Sequence, residues 1–537
     1  MDSQNHQNFD YIIIGAGSAG CVLANRLSAD PNNRILVLEA GCRDDDWLVH
    51  IPSGVAKIWN KPKYNWSYFS DPEPNMNNRR LFHPRGKILG GSSSINMTAY
   101  VRGNKGDFDR WGQMGLIDWS YEKVLPYFKK SENYLSERSD YRGHGGPMKT
   151  ALSPTEDPIF DAYIAAGENL GYPFCSDYNG AGQEGFSRMQ FTAFQGRRQS
   201  TSVAFLRPAL SRPNLEVITE AHVQVVDFDG TKATGIQYKK SGTKFSVLAH
   251  KEVILAAGTY NSAQTLLLSG IGPADHLRKH GINVVVDRPN VGSNLQDHPS
   301  IMLEYERKTS SDFQNNLRYD RLILNMIRAQ IFKSGPATHP LGLGTGFVKS
   351  RPEVILPDIQ ILFRRFSVQS REWFPLIRKP GVSGIGLISC HLRPESRGEV
   401  CLVSNNPNEP PKIVNNFLSS HNDCEALRTA FKINRSIGTN VALSKHLGKE
   451  ILPGNKVESD DDIDQFIRET AATVYHPVGT CRMGVDEDAV VDAQLRVRGC
   501  QNIRVVDGSV MPDLVGGNIN ATVIMIAEKA ADYIRES

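Results

Sequence analysis

A short apolar strand followed by three spaced glycines constrains this chain more than any other feature of its sequence. The run 11–14 (Tyr-Ile-Ile-Ile) leads into Gly15, Gly17 and Gly20, and residues 21–27 then show the apolar spacing of a helix. Glycines in this order let a tight turn and a helix N-terminus approach a pyrophosphate, which unpaired N–H groups and the helix dipole stabilise. The segment predicts the first strand, turn and helix of a dinucleotide-binding domain.

A carboxylate at the expected distance supports that prediction. The second apolar run, 35–38, ends in Glu39, which lies 19 residues after Gly20, where an acid can bind a ribose hydroxyl. A glycine-rich turn in another α/β fold is the alternative, and the motif by itself does not distinguish NAD from FAD.

Length, charge and composition indicate a large globular protein with a small-molecule partner. The 537 residues predict two or three packing units. The 61 Lys and Arg residues and 58 Asp and Glu residues leave a formal charge of +3 without long runs of one sign. We therefore expect neither a nucleic-acid partner nor an anionic-membrane footprint. Eight scattered cysteines without a C-x-x-C pattern indicate reduced thiols and no structural zinc site.

We expect no secretory signal and no integral membrane segment. Residues 1–10 are polar and lack the apolar run of a signal peptide. No apolar stretch approaches the roughly 20 residues that cross a bilayer. The sequence therefore predicts a cytoplasmic location.

A second segment rich in glycine and serine carries a family resemblance. Residues 84–96, Pro-Arg-Gly-Lys-Ile-Leu-Gly-Gly-Ser-Ser-Ser-Ile-Asn, are followed by Tyr100 and by Arg102 and Gly103. This order resembles the first signature of the glucose-methanol-choline (GMC) oxidoreductases. Its bare backbone and hydroxyls can lie against a flat ring or a phosphate, and a flexible serine loop is the alternative.

Further matches extend the resemblance over nearly the whole chain. Residues 258–272 resemble the second signature of the family, apart from Ala263 and Thr265, where Pro or Ser and an aliphatic residue are usual. Residues 291–299 and 504–507 are also similar to family segments. The resemblance implies an α/β fold: a Rossmann-like FAD-binding domain with an inserted α+β substrate domain that contains an antiparallel sheet.

The resemblance also implies discontinuous domains. The expected boundaries are residues 8–155, 191–305 and 466–537 for the FAD-binding domain with its catalytic tail, and residues 156–190 and 306–465 for the substrate domain. Strand-like runs at 385–392, 399–403 and 413–418 predict antiparallel strands joined by turns. We expect that sheet to cover the flavin.

FAD is the cofactor that the resemblance implies. Some members of the family attach it covalently through a histidine of the first signature, but Ile95 occupies that position here, so we expect non-covalent FAD. The residues expected to bind the cofactor are Gly15, Gly17, Ser18, Gly20, Glu39, Ala40, Arg85, Leu89, Gly91, Ser92, Asn96, Val223, Asp507 and Asn518.

His476 is the expected catalytic base. A capped helix that begins after Ser459 and ends near Val474 is expected to precede it. Pro477 restricts the residue before it to extended conformations, so the imidazole should be held in one direction. The chain has 14 histidines, most of which are expected to be structural or exposed. This one stands out because residues 475–480 resemble the active-site histidine segment of the family.

Asn520 is the expected partner of His476. It precedes the apolar-periodic final helix, residues 523–534, where the His/Asn branch of the family, which includes choline-type and hydroxymethylfurfural-type enzymes, carries its second active-site residue. An ordinary helix N-cap is the alternative. The implied reaction is oxidation of a primary alcohol to an aldehyde: His476 accepts the hydroxyl proton, Asn520 hydrogen-bonds the alkoxide, and hydride passes to flavin N5.

The charged residues of the expected substrate domain constrain the choice of alcohol. Choline-type members carry a carboxylate in the segment corresponding to residues 335–347, where this chain has none, so choline is not expected. Tyr475 and one of Arg364 and Arg365 are candidate substrate contacts, the arginines for an anionic or strongly polar alcohol. A solvated arginine pair on a strand is the alternative.

Other interpretations stay open beside this one. His276 and His280 form a possible metal pair, but the segment favours a cationic helix end followed by Gly281, so no metal is expected. A hydroxynitrile lyase on the same scaffold, without net redox, and an NAD-dependent enzyme are the alternative functions. The electron acceptor is oxygen, a quinone or another carrier.

Overall fold

The computed structural model describes residues 8–154, 156–309 and 312–536. The expected boundary at residue 155 and most of the polar N-terminal segment lie outside them. The α-helices are α1 Ser18–Leu27, α2 Trp47–His50, α3 Val55–Ile58, α4 Lys105–Gln113, α5 Tyr121–Ser131, α6 Ile159–Asn169, α7 Arg207–Ala209, α8 Thr259–Leu268, α9 Ala274–Lys279, α10 Asp312–Asn316, α11 Tyr319–Phe332, α12 His421–Gly438, α13 Asp460–Thr470 and α14 Asn520–Glu536.

Shorter helical turns and the strands complete the elements. A π-helical turn lies at Ser202–Leu206, and 3-10 turns lie at Pro52–Gly54, Pro74–Met76, Gly91–Ser94, Ile117–Trp119, Pro336–Thr338, Val441–Leu443 and Gly508–Val510. The strands are β1 Asn8–Ile14, β2 Ile35–Leu38, β3 Tyr68–Phe69, β4 Phe82–His83, β5 Glu132–Tyr134, β6 Met148–Leu152, β7 Gly185–Arg188, β8 Gln190–Phe191, β9 Ala193–Phe194, β10 Arg197–Arg198, β11 Leu215–Ile218, β12 Ala221–Asp229, β13 Lys232–Lys240, β14 Thr243–Leu255, β15 Ile271–Gly272, β16 Val286–Asp287, β17 Pro299–Arg307, β18 Gly342–Val348, β19 Ile359–Arg364, β20 Gly384–His391, β21 Glu399–Cys401, β22 Lys412–Val414, β23 Leu447–Leu452, β24 Ala472–Thr473 and β25 Ile503–Val505.

The first large sheet is parallel where it carries the dinucleotide motif. Its order is β11-β2-β1-β14-β13-β12, and β25 also pairs with β14. Strands β11, β2, β1, β14 and β25 run parallel, and their apolar runs are buried on both faces between α1, α14 and the rest of the core. The long strand β14 changes its pairing along its length, because residues 243–248 pair antiparallel with β13 while residues 248–255 pair parallel with β1.

The carboxyl ends of the parallel strands meet at one edge of this sheet. Gly15 follows β1, Glu39 follows β2, Ala256 follows β14, and Asp507 lies two residues beyond β25. Ligands of open α/β sheets bind at such an edge, because loops and helix N-termini converge there. The edge therefore positions the site.

The second large sheet is antiparallel, with the order β23-β17-β20-β19-β18-β7 and β24 paired to β17. Side chains alternate along its strands. Ile301, Leu303 and Phe363 face a core formed with α12, whereas Met302 and Leu362 face the first domain. The α/β fold with a separate antiparallel sheet, predicted from the sequence, is confirmed.

Two local expectations differ from the structure. The three strand-like runs between residues 385 and 418 do not form one sheet: β20 joins the large antiparallel sheet, while β21 and β22 pair with each other as a separate ribbon. The helix expected to end near Val474 ends at Thr470, because the backbone of residues 472–473 pairs with Pro299 and Ser300 of β17 instead.

Sheet membership also bears on the domain boundaries. Strand β17 belongs to the antiparallel sheet, and α13 packs Ile463, Phe466 and Ile467 into the same core. We therefore propose that the second substrate segment runs from residue 299 to residue 473 rather than from 306 to 465.

Among the helices of the described residues, none combines the length and apolar character needed to cross a bilayer.

Candidate active site

A cavity of about 530 Å³ lies between the two sheets. One end is lined by Gly15, Gly17 and Glu39 at the carboxyl edge of the parallel sheet. The other end is lined by His476 and by side chains of the antiparallel sheet. One continuous site therefore joins the expected dinucleotide motif to the expected catalytic histidine.

The dinucleotide end is built from bare backbone. Gly91 has a φ of +53°, and a Cβ added to it would lie 2.7 Å from the Cα of Gly17. Gly15 has a φ of +98°, and its Cβ would lie 2.6 Å from the carbonyl oxygen of Ala256. Three chain segments thus meet at positions where side chains would fill the space, which fits the close approach of a pyrophosphate.

Glu39 faces this end of the cavity from a buried position. Its two carboxylate oxygens accept hydrogen bonds from the N–H groups of Ala16 (2.9 Å) and Gly41 (2.8 Å). Burial raises the pKa of Glu39 to about 7, and those two N–H groups oppose the rise. A hydroxyl donor would stabilise this desolvated carboxylate, as a ribose does in dinucleotide sites.

Most of the expected cofactor residues line the cavity: Gly15, Gly17, Ser18, Glu39, Ala40, Arg85, Gly91, Ser92, Asn96, Val223, Asp507 and Asn518. Within the described parts of the chain, Gly20 and Leu89 do not line it. Gly20 instead allows close packing, since its Cβ would lie 1.9 Å from the carbonyl oxygen of Gly15. Leu89 is buried, and its N–H donates to the carbonyl of Cys42.

Asp507 organises two turns at the cavity edge. Its Oδ2 accepts hydrogen bonds from the Gly258 N–H (2.9 Å) and the Ser262 hydroxyl (2.5 Å). Its Oδ1 accepts the N–H (2.8 Å) and the hydroxyl (2.5 Å) of Ser509. The carboxylate therefore holds the end of β14 and the turn after β25 in one arrangement.

At the other end of the cavity, Asp297 clamps two histidine segments. This residue is buried, and its Oδ1 accepts hydrogen bonds from the N–H groups of His298 and His476, both at 2.8 Å. Its Oδ2 accepts the hydroxyl of Thr473 at 2.5 Å. Burial raises the pKa of Asp297 to about 6, and the hydrogen bonds oppose that rise.

The hydrogen bonds around His298 determine which nitrogen of His476 carries a proton. The Nε2 of His298 lies 3.2 Å from the carbonyl oxygen of Leu392, which can only accept, so this nitrogen carries the hydrogen. The Nδ1 of neutral His298 is then an acceptor, and it lies 3.0 Å from the Nδ1 of His476. His476 therefore donates from Nδ1, and its Nε2 carries an electron pair that can accept a hydrogen bond.

Asn518 donates a hydrogen bond to that electron pair. Its Nδ2 is 3.1 Å from the Nε2 of His476, and its Oδ1 is 3.5 Å from the Nε2 of Gln360. Asn520 lies elsewhere, because its Oδ1 accepts the Ser18 hydroxyl at 2.7 Å, at the N-terminus of α1. The two asparagines therefore differ from the expectation. Asn518, which was expected to bind the cofactor, contacts His476, whereas Asn520, which was expected to contact His476, lies at the glycine turn.

The surroundings of His476 keep its imidazole neutral. Burial, followed by the positive charge of Arg85, lowers the pKa of His476 to about 3. Arg85 donates from Nη2 to the carbonyl oxygen of Tyr475 at 2.7 Å. The ring of Tyr475 meets Trp59 edge to face, with centroids 5.1 Å apart, and both residues line the cavity.

The substrate end is walled by apolar side chains of the antiparallel sheet. Met302, Ile388 and Leu362 lie in one register row across β17, β20 and β19 and line the cavity. Met97 and Met189 also line it. This wall offers apolar and polarizable contacts to whatever lies beside His476.

The next row of the same sheet carries an ion pair. Arg364 donates from Nη2 to Glu304 at 2.8 Å. Gly386 of β20 lies between them, because it pairs with Glu304 of β17 on one side and with Arg364 of β19 on the other. A Cβ on Gly386 would lie 2.6 Å from the Nε of Arg364, so the glycine makes room for the contact. Arg365 does not line the cavity in the described structure, and its Nη2 lies 3.5 Å from the carbonyl of Pro340.

Sequence reasoning missed the roles of Asp297 and His298. Both lie in the segment 291–299 that resembles the family, but their contacts to His476 span more than 170 residues of chain. The pair His276 and His280 lies apart from the cavity, and the Nε2 of His276 accepts the N–H of Leu402. The described residues hold no cluster of three or more possible metal ligands.

Known proteins resemble this chain over its full length. The GMC oxidoreductase family models match residues 9–300 and 394–527. The mitochondrial choline dehydrogenase of Mus musculus is 42% identical over 545 residues, covering 99% of this chain and 90% of that protein. The alcohol dehydrogenase (acceptor) of Pseudomonas putida is 44% identical over 531 residues, covering 98% and 95%. An FAD-dependent oxidoreductase from Chaetomium thermophilum has a TM-score of 0.88 at 26% identity, covering 98% and 99%.

Proposed function

The chain belongs to the GMC oxidoreductases, and from that premise we propose that it oxidises an uncharged, largely apolar primary alcohol to the aldehyde. It is an oxidoreductase of CH–OH groups, and FAD is its cofactor. When bound, FAD supplies the oxidising power by accepting a hydride from the carbinol carbon. These findings favour alcohol oxidation over the lyase and NAD-dependent alternatives.

The geometry at His476 carries the proposal. Its Nε2 electron pair faces the cavity beside Asn518, and its Nδ1–H is held by His298. An alcohol whose oxygen lies between the two groups replaces the hydrogen bond from Asn518 to Nε2: its hydroxyl donates to Nε2, and the Asn518 N–H donates to its oxygen and stabilises the alkoxide. We therefore assign His476 as the base and Asn518 as the alkoxide donor.

Asn520 takes a different role in this proposal. Its bond to the Ser18 hydroxyl joins the first residues of α14 and α1 at the glycine turn, where a pyrophosphate would meet both helix N-termini. Asn520 and Ser18 thus belong to the residues that would hold the dinucleotide, together with Gly15, Gly17 and Glu39. Ile95, which lines the cavity, offers no nucleophile to the flavin, so we propose non-covalent binding.

The walls of the cavity support an uncharged substrate. Among its described lining residues the carboxylates are Glu39 and Asp507, and both lie at the dinucleotide end. Nearer His476, Glu304 is already paired with Arg364, so a cationic substrate finds no unpaired carboxylate among the described lining residues there, and Arg85 donates to the carbonyl oxygens of Pro84 and Tyr475. The aromatic rings of Trp59 and Tyr475 would suit a quaternary ammonium.

A pair of isosteric alcohols tests this assignment. Choline and 3,3-dimethylbutan-1-ol have nearly the same shape but differ by one positive charge. We expect the neutral alcohol to reduce the flavin with the higher kcat/KM in anaerobic mixing experiments. A clear preference for choline would contradict the apolar assignment, and no flavin reduction by any primary alcohol would contradict the proposed reaction.

A further inference from the structure

Helix α11 carries a stripe of exposed apolar side chains outside the active site. Ile323, Ile327 and Ile331 follow one another at four-residue spacing and are 59%, 48% and 64% exposed. Leu324 and Phe332 flank them and are 66% and 71% exposed. Monomeric proteins rarely expose such a contiguous apolar stripe without a binding partner.

The opposite face of the same helix already packs on the protein. Ala329 is buried and Met326 is partly buried, against Ile51 and Ala337. A helix with apolar side chains on two of its faces normally packs both of them against other elements. Within the described residues the outer stripe of α11 has no such cover.

A loop beside α11 extends this surface. The N–H of Tyr319 donates to the carbonyl of Trp373 (3.0 Å), and the indole of Trp373 donates to the carbonyl of Gln314 (3.0 Å). The loop then turns at Leu376, which has a φ of +68° and is fully exposed, and at Ile377, which is 78% exposed. We call α11 together with residues 371–379 the α11 surface.

The charges around the α11 surface are mostly positive. Its two acids are paired, Asp320 with Arg318 (2.7 Å) and Glu372 with Lys57. The remaining charged side chains of the surface are all exposed cations: Arg321, Arg328, Arg371, Arg378 and Lys379. The exposed Lys333 follows α11 directly. An apolar stripe bordered by cations complements a layer of anionic headgroups over hydrocarbon.

The same charge pattern disfavours a second copy of the chain as the partner. A twofold contact buries one surface against itself, so residues near the axis face their own copies. The cations that border the stripe would then meet the same cations of the other copy, because both acids of this surface are already paired, and their repulsion would lower the affinity.

We propose that the α11 surface docks the enzyme on anionic lipid bilayers. The apolar stripe and the Leu376 tip enter the boundary between headgroups and acyl chains, while the flanking cations meet lipid phosphates. The surface could not be predicted from the sequence, because about 40 residues separate α11 from the loop 371–379. The net charge of the whole chain, +3, also does not reveal a local cluster of cations. The proposal does not rest on the identity of the substrate.

The α11 surface lies close to the substrate end of the cavity. The guanidinium of Arg364, on the cavity wall, lies 4.7 Å from the Phe366 ring, and that ring stacks on Phe313 of α10 at 5.1 Å. Two aromatic side chains thus connect the cavity wall to the base of the surface. Docking would bring this end of the enzyme towards the membrane, where apolar alcohols concentrate.

Co-sedimentation of the FAD-loaded full chain with vesicles tests the proposal. We compare vesicles of phosphatidylcholine alone with vesicles of equal parts phosphatidylcholine and phosphatidylglycerol. We expect partition into the anionic vesicles to be at least about tenfold stronger and to weaken with added salt. No sedimentation with either vesicle, or equal partition into both, would overturn the proposal.

Paired variants locate the contact. Leu376→Glu/Ile377→Glu should lower partition about tenfold or more, whereas Val441→Glu, at a 77% exposed valine outside the surface, should not. Arg378→Glu/Lys379→Glu should also lower partition, whereas Lys232→Glu/Lys244→Glu on the β13–β14 hairpin should leave it unchanged. Equal effects of test and control variants would contradict docking at the α11 surface.

Two further readouts separate the remaining outcomes. Turnover of a water-soluble alcohol without vesicles should be the same in all variants, which shows that each one is folded. The molar mass in solution should also be unchanged in Leu376→Glu/Ile377→Glu. A wild-type oligomer that this variant dissociates would assign the surface to a second copy and overturn the proposal.

Discussion

The two ends of the cavity are built in different ways. The dinucleotide end consists of backbone atoms at Gly15, Gly17 and Gly91, held by the buried carboxylates of Glu39 and Asp507. The reacting end consists of side chains, in which the positions of His476 and Asn518 depend on contacts to residues far away in sequence. We therefore expect single substitutions to damage chemistry at one end and cofactor binding at the other.

The largest expected effect is that of His476→Ala. Removing the base should slow anaerobic flavin reduction by an alcohol about 10³-fold, because a positioned base contributes roughly 10² to 10⁴ to the rate. The measurement is stopped-flow bleaching of the flavin. His421→Ala, at a histidine whose side chain is 80% exposed, should have no effect. An unchanged rate in His476→Ala with full FAD content would refute the role of this residue.

Substitution of the two asparagines should separate the two ends of the cavity. Asn518→Ala removes the proposed alkoxide donor and should slow flavin reduction about 10²-fold while FAD content stays normal. Asn520→Ala removes the acceptor of the Ser18 hydroxyl and should weaken FAD retention, with a smaller change in the reduction rate of the loaded enzyme. The FAD content after gel filtration and the single-turnover rate distinguish them, and a reversed pattern would restore the roles expected from the sequence.

The asparagine pair also shows where prediction from the sequence ends. The glycine turn and Glu39 could be predicted because strand, turn, helix and acid are consecutive in the chain. Asn518 and Asn520 lie two residues apart at the start of α14, and no local pattern states which one faces a histidine 42 residues away. That choice depends on how α14 meets α1 and β19, through Ser18 and Gln360.

Similar limits apply to the antiparallel sheet. From the sequence, Arg364 was a candidate contact for an anionic or strongly polar substrate. Its partner Glu304 lies on another strand, and the two meet only because Gly386 lies between them in register. His298 likewise belongs to a recognised segment, but its role follows from the carbonyl of Leu392, which lies 94 residues away.

Breaking the Arg364–Glu304 pair should cost stability rather than chemistry. Arg364→Ala leaves the buried Glu304 carboxylate without its partner, which should destabilise the protein by about 3 kcal/mol. The double variant Arg364→Met/Glu304→Gln removes both charges and should recover most of that loss. Lys412→Ala, which breaks the exposed pair with Glu399, should change stability by less than about 1 kcal/mol. Thermal unfolding of the FAD-loaded variants measures all three, and equal losses in the single and double variants would contradict the ion-pair explanation.

The smallest expected effect concerns the pH dependence of the reacting end. His476 must be neutral to accept a proton, so flavin reduction should slow as the pH falls through its pKa. Because burial and the charge of Arg85 lower that pKa to about 3, the acid limb should lie well below the 6.5 of an ordinary histidine. Arg85→Met removes the charge and should move the limb to higher pH, while Arg85→Lys keeps the charge and should hold it near the wild-type position. Reduction rates between about pH 4 and 8 should therefore be nearly constant in the wild type, and an acid limb that rises into this range in Arg85→Met reports the shift. A wild-type limb at or above pH 6.5, or an equal shift in both variants, would contradict this account of how the base is kept neutral.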